Sequence, residues 1–243
     1  MNDLEPRLTE DGSYTLHSAR FDECYHSVHG ARSESEFIFI QAGLDYWAGQ
    51  CLYETNAFVC AADEKVCPAA CDVLEIGFGT GLNARLCADW AERTGCKVYY
   101  ETLELYPVPP ALMAACSADA LLGAMHAAAW NRPAQITPCF TLHKRQVDAV
   151  TAVFTRPFDV VFFDAFSPAV QPAMWTPEML DKVFQAMRDG GVLTTYCAKG
   201  EVRRTLQRIG FSVERLPGPA GKREILRAVR PVQDAAVNPV RTA

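Results

Sequence analysis

Residues Val73–Asn83 read Val-Leu-Glu-Ile-Gly-Phe-Gly-Thr-Gly-Leu-Asn, and this stretch decides the fold. Its apolar start predicts a short buried strand, and Leu82–Thr94 beyond it predicts a helix. Gly77, Gly79 and Gly81 lie between the two, where glycine permits a tight turn and lets a ligand approach the backbone closely. A helix that starts there points free N–H groups at the loop. The stretch therefore predicts a nucleotide-type cradle at the carboxyl end of a first strand.

The spacing of these glycines distinguishes between cofactors. The dinucleotide fingerprint requires a third glycine three residues after the second, and here Leu82 occupies that position. The pattern is Gly-x-Gly-x-Gly with Glu75 just before it, which resembles motif I of the class I S-adenosylmethionine (SAM) methyltransferases. A Gly-rich loop also occurs in plain strand–helix turns, so the interpretation depends on two further features.

The first feature is the end of the next predicted strand, Lys97–Leu105, which is apolar and then acidic. An acidic residue about 20 positions beyond the glycines is placed to bind ribose hydroxyls. Glu104 lies in that window, with Glu101 as the alternative. A solvated carboxylate that caps a strand would look the same.

The second feature is the segment Phe158–Trp175. Val160–Phe163 is apolar and predicts a central strand, and Asp164 follows at its carboxyl end, where open α/β sheets place their chemistry. Pro168 and Pro172 prevent the chain from entering a helix directly. A stiff aromatic loop of this kind is suited to hold a substrate, although Asp164 as a simple turn residue remains the alternative.

The composition is that of a folded protein. The chain has 243 residues, of which 49% are hydrophobic and 21% charged, enough for one large or two small domains with a full core. No run of roughly 18 apolar residues predicts a membrane span. The first twelve residues are acidic and polar and do not resemble a secretory signal.

The ten cysteines predict neither a disulfide framework nor a zinc site. None forms a Cys-x-x-Cys pair, and Cys87, Cys116 and Cys197 fall inside predicted elements. We expect reduced, mostly buried thiols in a cytoplasmic protein. Several histidines cluster near the amino terminus without a metal-ligand spacing, so no metal is expected.

The charge is unevenly distributed along the chain. The net charge is −6, which alone argues against nucleic acid as a partner. Residues 199 to 230 hold nine Lys or Arg and three Glu, a net +6, so the rest carries −12. This asymmetry indicates one basic face on an acidic body. On charge alone, a solvated helix with ordinary strand ends explains the segment about as well.

A βα rhythm begins at Cys71, and the segment before it lacks one. The predicted strands are Ser13–His17, Phe37–Gln41, Ile136–His143, Gly191–Tyr196, Ser212–Leu216 and Arg223–Val229, besides those named above. The predicted helices are Leu44–Cys60, Pro109–Met125, Asp148–Thr155, Pro177–Met187 and Glu201–Ile209, besides Leu82–Thr94.

The last two predicted strands are joined by a short Gly-Pro loop and must be antiparallel neighbours. A parallel doubly wound sheet that closes with an antiparallel hairpin is typical of class I methyltransferases. We therefore predict an α/β, Rossmann-like fold, mostly parallel with a final antiparallel hairpin. The expected organisation is an amino-terminal α+β extension (1–65), a methyltransferase domain (66–230) and a loose tail (231–243).

The residues also resemble a specific family, the tRNA 5-methylaminomethyl-2-thiouridine methyltransferases, found as the methyltransferase half of bifunctional MnmC or as stand-alone MnmD. The resemblance spans roughly residues 9 to 229. The matching segments are Tyr25–Ser27, Phe39–Leu44, Glu75–Asn83, Leu103–Val108, Phe163–Trp175, Val202–Arg204 and Gly221–Glu224. The most specific is Asp-x-Phe-x-Pro-x-x-x-Pro-x-Met-Trp, which begins at Asp164.

The resemblance implies that SAM methylates the exocyclic amine of 5-aminomethyl-2-thiouridine at the tRNA wobble position. Asp164 would be the catalytic residue that orients the amine and accepts its proton. The implied cofactor-binding residues are Glu75, Gly77, Gly79, Thr80, Gly81, Asn83, Glu104, Gln146 and Asp164. The implied substrate-binding residues are Tyr25, Phe166, Trp175, Lys199, Arg203, Arg204, Lys222 and Arg223. Phe166 and Trp175 would stack on the flipped base, and the basic residues would hold anticodon-loop phosphates.

One position departs from the family pattern. An acid usually follows the third strand, where the adenine amino group would bind, and Gln146 stands there with Asp148 two residues on. A glutamine carbonyl can still accept from that amino group, so both residues stay open. The sequence ends at Ala243 with no flavin-binding half, so we expect no oxidase activity.

Two other functions compete with this one. A class I methyltransferase or aminopropyltransferase acting on a small amine would use the same fold without a basic face. A non-catalytic tRNA-binding protein would need neither the glycine loop nor Asp164. Functional coupling to the enzymes that install the aminomethyl group is a further hypothesis, and the source of the aminomethylated substrate and the oligomeric state stay open.

Overall fold

The computed structural model describes residues 3–54 and 69–232. The amino-terminal part forms a small antiparallel sheet of β1 (Leu4–Leu8), β2 (Tyr14–Ser18) and β3 (Glu23–Cys24). One helical stretch follows, made of α1 (Ala31–Ser35), a π-helical segment and α2. The π-helical segment is Glu36–Asp45 and α2 is Tyr46–Glu54.

The main sheet has eight strands. Their order across the sheet is β10-β11-β9-β8-β4-β5-β7-β6. The strands are β4 (Ala70–Ile76), β5 (Lys97–Glu104), β6 (Pro133–Thr137), β7 (Phe140–Gln146), β8 (Phe158–Phe163), β9 (Met187–Thr195), β10 (Ser212–Pro217) and β11 (Glu224–Val229). The five strands from β9 to β7 run parallel to one another, whereas β11 pairs antiparallel with β9 and β10 antiparallel with β11. The predicted closing hairpin is therefore confirmed.

Helices cover both faces of the sheet. They are α3 (Leu82–Thr94), α4 (Pro110–Cys116), α5 (Ala120–Ala127), α6 (Pro177–Gln185) and α7 (Gly200–Ile209). One core cluster joins the π-helical segment and α3 to the sheet, and a second joins α6 and α7 to it. The predicted helix Leu82–Thr94 has the bounds of α3, because Gly81 and Gly95 flank it in left-handed conformations.

The order of the strands determines where the main sheet can bind a ligand. After β4 the chain moves to β5 and β7 on one side, and then returns to β8 and β9 on the other. The carboxyl ends of β4 and β8 therefore lie side by side at the point where the strand order reverses. The Asp164 backbone N–H donates to the Ile76 carbonyl at 3.1 Å across this point. Ligands of open α/β sheets bind at such a crevice.

The predicted strand Phe37–Gln41 is wrong, because these residues lie in the π-helical segment. Ile38, Phe39 and Ile40 are consecutive and all buried, a pattern that periodicity cannot assign to strand or helix. The helix packs closely on the sheet at Gly43, where an added Cβ would lie 3.4 Å from Phe162 on β8. Tertiary packing thus overrides the local β propensity.

Three other predicted elements are corrected in detail. Pro109–Met125 is two helices, since Ser117 is extended and the Asp119 side chain accepts from the backbone of the new first turn. Ile136–His143 spans a hairpin between β6 and β7. Asp148–Thr155 contains only one turn, in which Ala152 N–H donates to Asp148 O at 2.9 Å, too short to propagate as a helix.

The other boundaries move by a few residues. The predicted helix Leu44–Cys60 corresponds to α2, and its part beyond Glu54 lies outside the described residues, as does most of the predicted tail. Cys87, Cys116 and Cys197 form no disulfide. In residues 3–54 and 69–232, no helix has both the length and the apolar character to cross a bilayer, and no three His, Cys, Asp or Glu side chains converge as metal ligands.

Candidate active site

The glycine loop after β4 has a conformation that only glycine adopts easily. Gly77 has φ +95° and Gly79 has φ +51°. A Cβ on Gly77 would lie 2.9 Å from the Asp164 carbonyl oxygen, and one on Gly79 would lie 2.7 Å from the Tyr25 ring. Both residues line a cavity of about 360 Å³ at the carboxyl edge of the sheet, a size within the usual range of ligand pockets. The loop is thus an open cradle that any larger residue would fill.

Thr80 anchors this loop from outside the cavity. Its hydroxyl lies 2.8 Å from His26 Nε2, and its carbonyl accepts from His126 Nε2 at 2.8 Å. Thr80 and Gly81 are buried and do not line the cavity. His26 belongs to the amino-terminal part and His126 to α5, so two segments 100 residues apart in the sequence contact the same residue. Burial lowers the pKa of His26 to about 4, with Lys222 adding to the effect, so His26 is neutral here.

Glu104 occupies the position expected for ribose recognition. It ends β5 and lines the cavity. Its Oε2 accepts from Gly79 N–H at 3.1 Å and its Oε1 from Tyr106 N–H at 2.8 Å, so the carboxylate is fixed beside the loop. Glu101 lies further back on β5, buried and paired with Arg145 at 2.8 Å. The structure therefore places Glu104 rather than Glu101 at the cavity.

Of the two residues considered for adenine binding, Asp148 lines the cavity and Gln146 does not. The side chain of Gln146 is exposed at the end of β7, whereas Val147, Asp148 and Ala149 line the cavity. Asp148 Oδ1 accepts from Val150 N–H at 2.9 Å, which leaves its second oxygen available to the cavity. Of the two residues left open by the sequence, Asp148 is the one in position to contact a base there.

Asp164 lies where β8 ends and faces the cavity. Its Oδ2 accepts a hydrogen bond from Asn83 Nδ2 at 2.8 Å. Burial raises the pKa of Asp164 to about 7, although the hydrogen bond from Asn83 opposes this shift. A carboxyl group that titrates near neutrality is suited to accept a proton in one step and release it in the next. Glu75 and Asn83 themselves are buried behind the loop and do not line the cavity.

The loop after Asp164 is held by side chains that the sequence motifs did not reveal as supports. Trp175 Nε1 donates to the Phe166 carbonyl at 2.8 Å, and the Tyr196 hydroxyl donates to the Ala165 carbonyl at 2.9 Å. Gln171 Oε1 accepts from Phe166 N–H at 3.0 Å. Trp175 is buried against Phe163 and does not line the cavity. It supports the loop from behind.

The amino-terminal part covers the cavity and contacts this same loop. Glu23 accepts from the Ser167 backbone N–H at 3.1 Å and also from the Ser167 hydroxyl. The ring of Phe21 stacks on Phe166 with centroids 4.5 Å apart, and Tyr25 meets Phe166 edge-on at 4.9 Å. All five of these residues line the cavity. No local pattern in the sequence indicates these contacts, because they join positions more than 140 residues apart.

The predicted basic residues divide into two groups. The first group lies at the surface: Lys199, Arg203 and Arg204 are near the start of α7, and Arg223 is in the β10–β11 loop. Arg203 is half-buried and the other three are exposed. Within the described residues, these four form no ion pair. Lys222 instead lines the cavity, where its Nζ lies 2.9 Å from Glu34 Oε1 and 4.4 Å from the centre of the Tyr196 ring.

The residues at this site fit SAM. The glycine cradle would be filled by any Cβ, Glu104 presents a fixed carboxylate beside it, and Asp148 presents another on the base side. Apolar and aromatic side chains, among them Phe21, Leu103 and Phe166, also line the cavity. When bound, SAM supplies an electrophilic methyl group.

Comparisons with known proteins agree with this geometry. A family model described as S-adenosyl-L-methionine-dependent methyltransferase matches residues 134–231. The tRNA 5-methylaminomethyl-2-thiouridine biosynthesis bifunctional protein MnmC of Ralstonia nicotianae is 30% identical over 93% of this chain and 34% of that protein. The MnmC of Actinobacillus pleuropneumoniae serotype 5b is 28% identical over 93% of this chain and 35% of that protein. The chain thus spans about a third of the length of these relatives.

Solved structures show the same fold. MNMC2 from Aquifex aeolicus superposes with a TM-score of 0.72 at 22% identity, covering 95% of this chain and 73% of that one. Spermidine synthase from Thermotoga maritima superposes with a TM-score of 0.57 at 14% identity, covering 93% and 69%. At these identities the likeness establishes the fold alone.

The fold, the glycine cradle and the matched family model define the chain as a class I SAM-dependent methyltransferase. Within this class the chain is similar to the MnmC proteins, to which 93% of its length aligns at 28–30% identity. The predicted fold class, cofactor and family resemblance are therefore confirmed.

Proposed function

We propose that the protein methylates the exocyclic amine of 5-aminomethyl-2-thiouridine at the wobble position of tRNA, giving 5-methylaminomethyl-2-thiouridine. The observation that carries this proposal is the carboxyl group of Asp164, which faces the cofactor cavity and whose pKa burial raises to about 7. The names of the MnmC relatives support the choice of substrate.

Asp164 has two tasks in this reaction. An incoming ammonium group has no lone pair, so it must lose a proton before it can accept a methyl group. The ionised Asp164 carboxylate takes that proton and its hydrogen bond orients the free amine. The apolar walls help, because desolvation lowers the pKa of an amine. With its pKa near 7, Asp164 then returns the proton to water after methyl transfer.

The rest of the site suggests how the tRNA is held. Phe166 and Tyr25 line the cavity beside Asp164 and would contact a base flipped into it. Trp175, which does not line the cavity, would act through Phe166. The basic surface, defined as Lys199, Arg203, Arg204 and Arg223, would hold anticodon-loop phosphates. The protein would work in the cytoplasm, after the enzymes that install the aminomethyl group.

The chain would consist of two parts that pack against each other. We propose residues 1–65 as an extension that packs on a methyltransferase domain of residues 66–230. The contacts of Glu23 with Ser167 and of His26 with Thr80 support this organisation, because both join the extension to loops that follow strands of the main sheet.

Mass analysis of wobble nucleosides tests this proposal. tRNA carrying 5-aminomethyl-2-thiouridine should gain one methyl group when incubated with the protein and SAM, while tRNA with an unmodified wobble uridine should not. Small polyamines incubated in parallel should remain unmodified. Methylation of the polyamines without any change in the tRNA would support the small-amine alternative, and SAM binding without turnover on either would support a non-catalytic role.

A further inference from the structure

The buried side of Asp164 carries a cluster of polar groups that the reaction as described does not use. Asn83 is the second residue of α3 and is 2% exposed, and Glu75 on β4 is fully buried. Glu75 lies beside the side chains of Asn83 and Tyr100, and its Oε2 accepts from the Thr102 hydroxyl at 2.8 Å. Asn83 in turn donates to Asp164. A continuous polar path therefore runs from the interior of the sheet to the cavity.

We propose that Asn83 and Glu75 are positioning residues for Asp164: Asn83 holds its carboxylate toward the cavity through the amide N–H, and Glu75 backs Asn83 as a neutral acid. This inference deepens the proposed function and rests on it.

The hydrogen-bond inventory supports a neutral Glu75. Within the described residues, Glu75 Oε1, Asn83 Oδ1 and the Tyr100 hydroxyl are buried without a hydrogen-bond partner of good geometry. The Tyr100 hydroxyl is the one donor among these three groups, whereas the Glu75 carboxylate and the amide oxygen of Asn83 are both acceptors, so the cluster is one donor short when Glu75 is ionised. One proton on Glu75 adds a donor where it is needed. Unpartnered buried polar atoms are rare enough to require such an explanation.

The electrostatics agree with the same assignment. Burial, with a further contribution from Asp164, raises the pKa of Glu75 well above its ordinary value, whereas Asp164 has a pKa of about 7. Two like charges this close in the interior cannot both be present at neutral pH without a large cost. The deeper carboxyl group therefore keeps its proton, and the one at the cavity ionises.

Other titratable groups face Asp164, and the variants used in a test must leave these groups unchanged. Tyr100 lies on the interior side, and burial raises its pKa well above the ordinary value. Tyr196 follows β9, and burial, with a further contribution from the charge of Asp164, raises the pKa of its hydroxyl. The other titratable groups on the cavity wall are Glu23, Tyr25, His26, Glu34, Glu104, Tyr106, Asp148 and Lys222, with Cys24 beside them. The variants below leave all of these in place, so their differences report on Asn83 and Glu75.

Three variants and two measurements test the inference. Asn83→Ala removes the donor to Asp164, so the pKa of Asp164 should rise by about one to two units, the size of a charge-assisted hydrogen bond. In the plot of kcat against pH, the acid limb should move to higher pH by the same amount, and the rate of the variant should return to that of the parent at alkaline pH. Asn83→Ser keeps a hydroxyl donor and should give a smaller shift.

Carboxyl ¹³C NMR titration of the unliganded protein measures the same pKa without turnover, with Asp164→Asn used to assign the signal. In Glu75→Gln, the Asp164 signal should titrate as in the parent, since one neutral group replaces another. A marked fall in the pKa of Asp164 would show that Glu75 is ionised in the parent and would overturn its assigned role.

The outcomes separate this inference from the proposed function. An Asn83→Ala rate lowered by the same factor at every pH, with the pKa of Asp164 unmoved, would show a merely structural asparagine and contradict the inference. A parent protein that leaves aminomethylated tRNA unmethylated would remove the proposed function instead. In that case, the NMR titrations still decide whether Asn83 and Glu75 set the protonation of Asp164.

Discussion

The two walls of the cavity differ in how they are built. The cofactor wall, defined as Gly77, Gly79, Glu104 and Asp164, consists of residues at the ends of adjacent parallel strands and is fixed by backbone geometry. The cover, defined as Phe21, Glu23, Tyr25 and Lys222, reaches the cavity from the amino-terminal part and the last hairpin. Its contacts are side-chain contacts over long sequence separations. The cofactor wall thus follows from the parallel-sheet fold, whereas the cover depends on side chains that meet over long sequence separations.

This difference predicts separate effects on cofactor binding and on turnover. Changes in the glycine loop should weaken SAM binding, and changes in the cover should slow methyl transfer while leaving SAM affinity intact. Asp164 belongs to the cofactor wall by position, but its chemistry is directed at the substrate. A change at Asp164 should therefore spare SAM affinity, as a change in the cover does, but should slow methyl transfer far more.

The largest effect is expected for Asp164→Asn. The amide keeps the shape and some of the hydrogen bonding of the carboxylate but cannot accept the proton. Methylation at neutral pH should fall by roughly 10²–10⁴-fold, the range for a positioned general base. SAM affinity measured by calorimetry should change little, because the cradle and Glu104 remain. A comparable loss of SAM affinity would place Asp164 in cofactor binding alone.

Gly79→Val should affect binding instead. Its φ of +51° is strained for a β-branched residue, and its Cβ would lie 2.7 Å from Tyr25. We expect SAM affinity to fall on the order of 100-fold, which corresponds to a strain of about 2.7 kcal/mol. Gly49→Val in α2 is the matched control, since a Cβ there meets nothing within 4 Å. Parent-like calorimetry for Gly79→Val would remove the loop from the cofactor site.

Glu23→Gln tests the cover. The substitution weakens the hydrogen bonds that Ser167 donates to a charged acceptor, and each such bond is worth about 1.5 kcal/mol or more. We expect kcat to fall about tenfold with unchanged SAM affinity. Glu5→Gln on β1 is exposed and serves as the control from the same part of the chain. Equal activity of the two variants would show that the cover does not position the catalytic loop.

The smallest effect is expected at the basic surface. Arg204→Ala combined with Arg223→Ala should weaken tRNA binding several-fold and reduce the slope of log K against log salt by about two, one for each lost phosphate contact. Methylation at saturating tRNA should stay near the parent rate. Binding titrations between low and physiological salt measure both quantities. An unchanged slope would exclude this surface from the tRNA interface.

The sequence is informative about the cofactor wall because strand ends carry local patterns. An apolar run and the residue that follows it predict each of Gly77, Glu104 and Asp164, and the structure brings all three to one cavity. The bounds of α3 follow from its flanking glycines in the same way. These features depend on a few neighbouring residues.

The cover and several roles depend on packing that no local pattern records. Trp175 and Lys222 were both expected to bind tRNA, but Trp175 is buried behind the loop and Lys222 turns inward to Glu34. Phe37–Gln41 has the composition of a strand, yet a helix lets Ile38, Phe39 and Ile40 all pack inward. Side-chain direction and long-range pairing decide these cases.

The pH dependence of single-turnover methylation in the parent and in Asp164→Asn tests the central claim most directly, with aminomethylated tRNA as substrate and SAM saturating. The parent rate should fall as pH decreases through about 7, where Asp164 gains its proton. The difference between the two proteins should narrow as pH rises above neutrality, because more of the amine is then already deprotonated. A parent-like rate for Asp164→Asn at neutral pH, or a difference that stays constant up to alkaline pH, would contradict the role of Asp164 as proton acceptor.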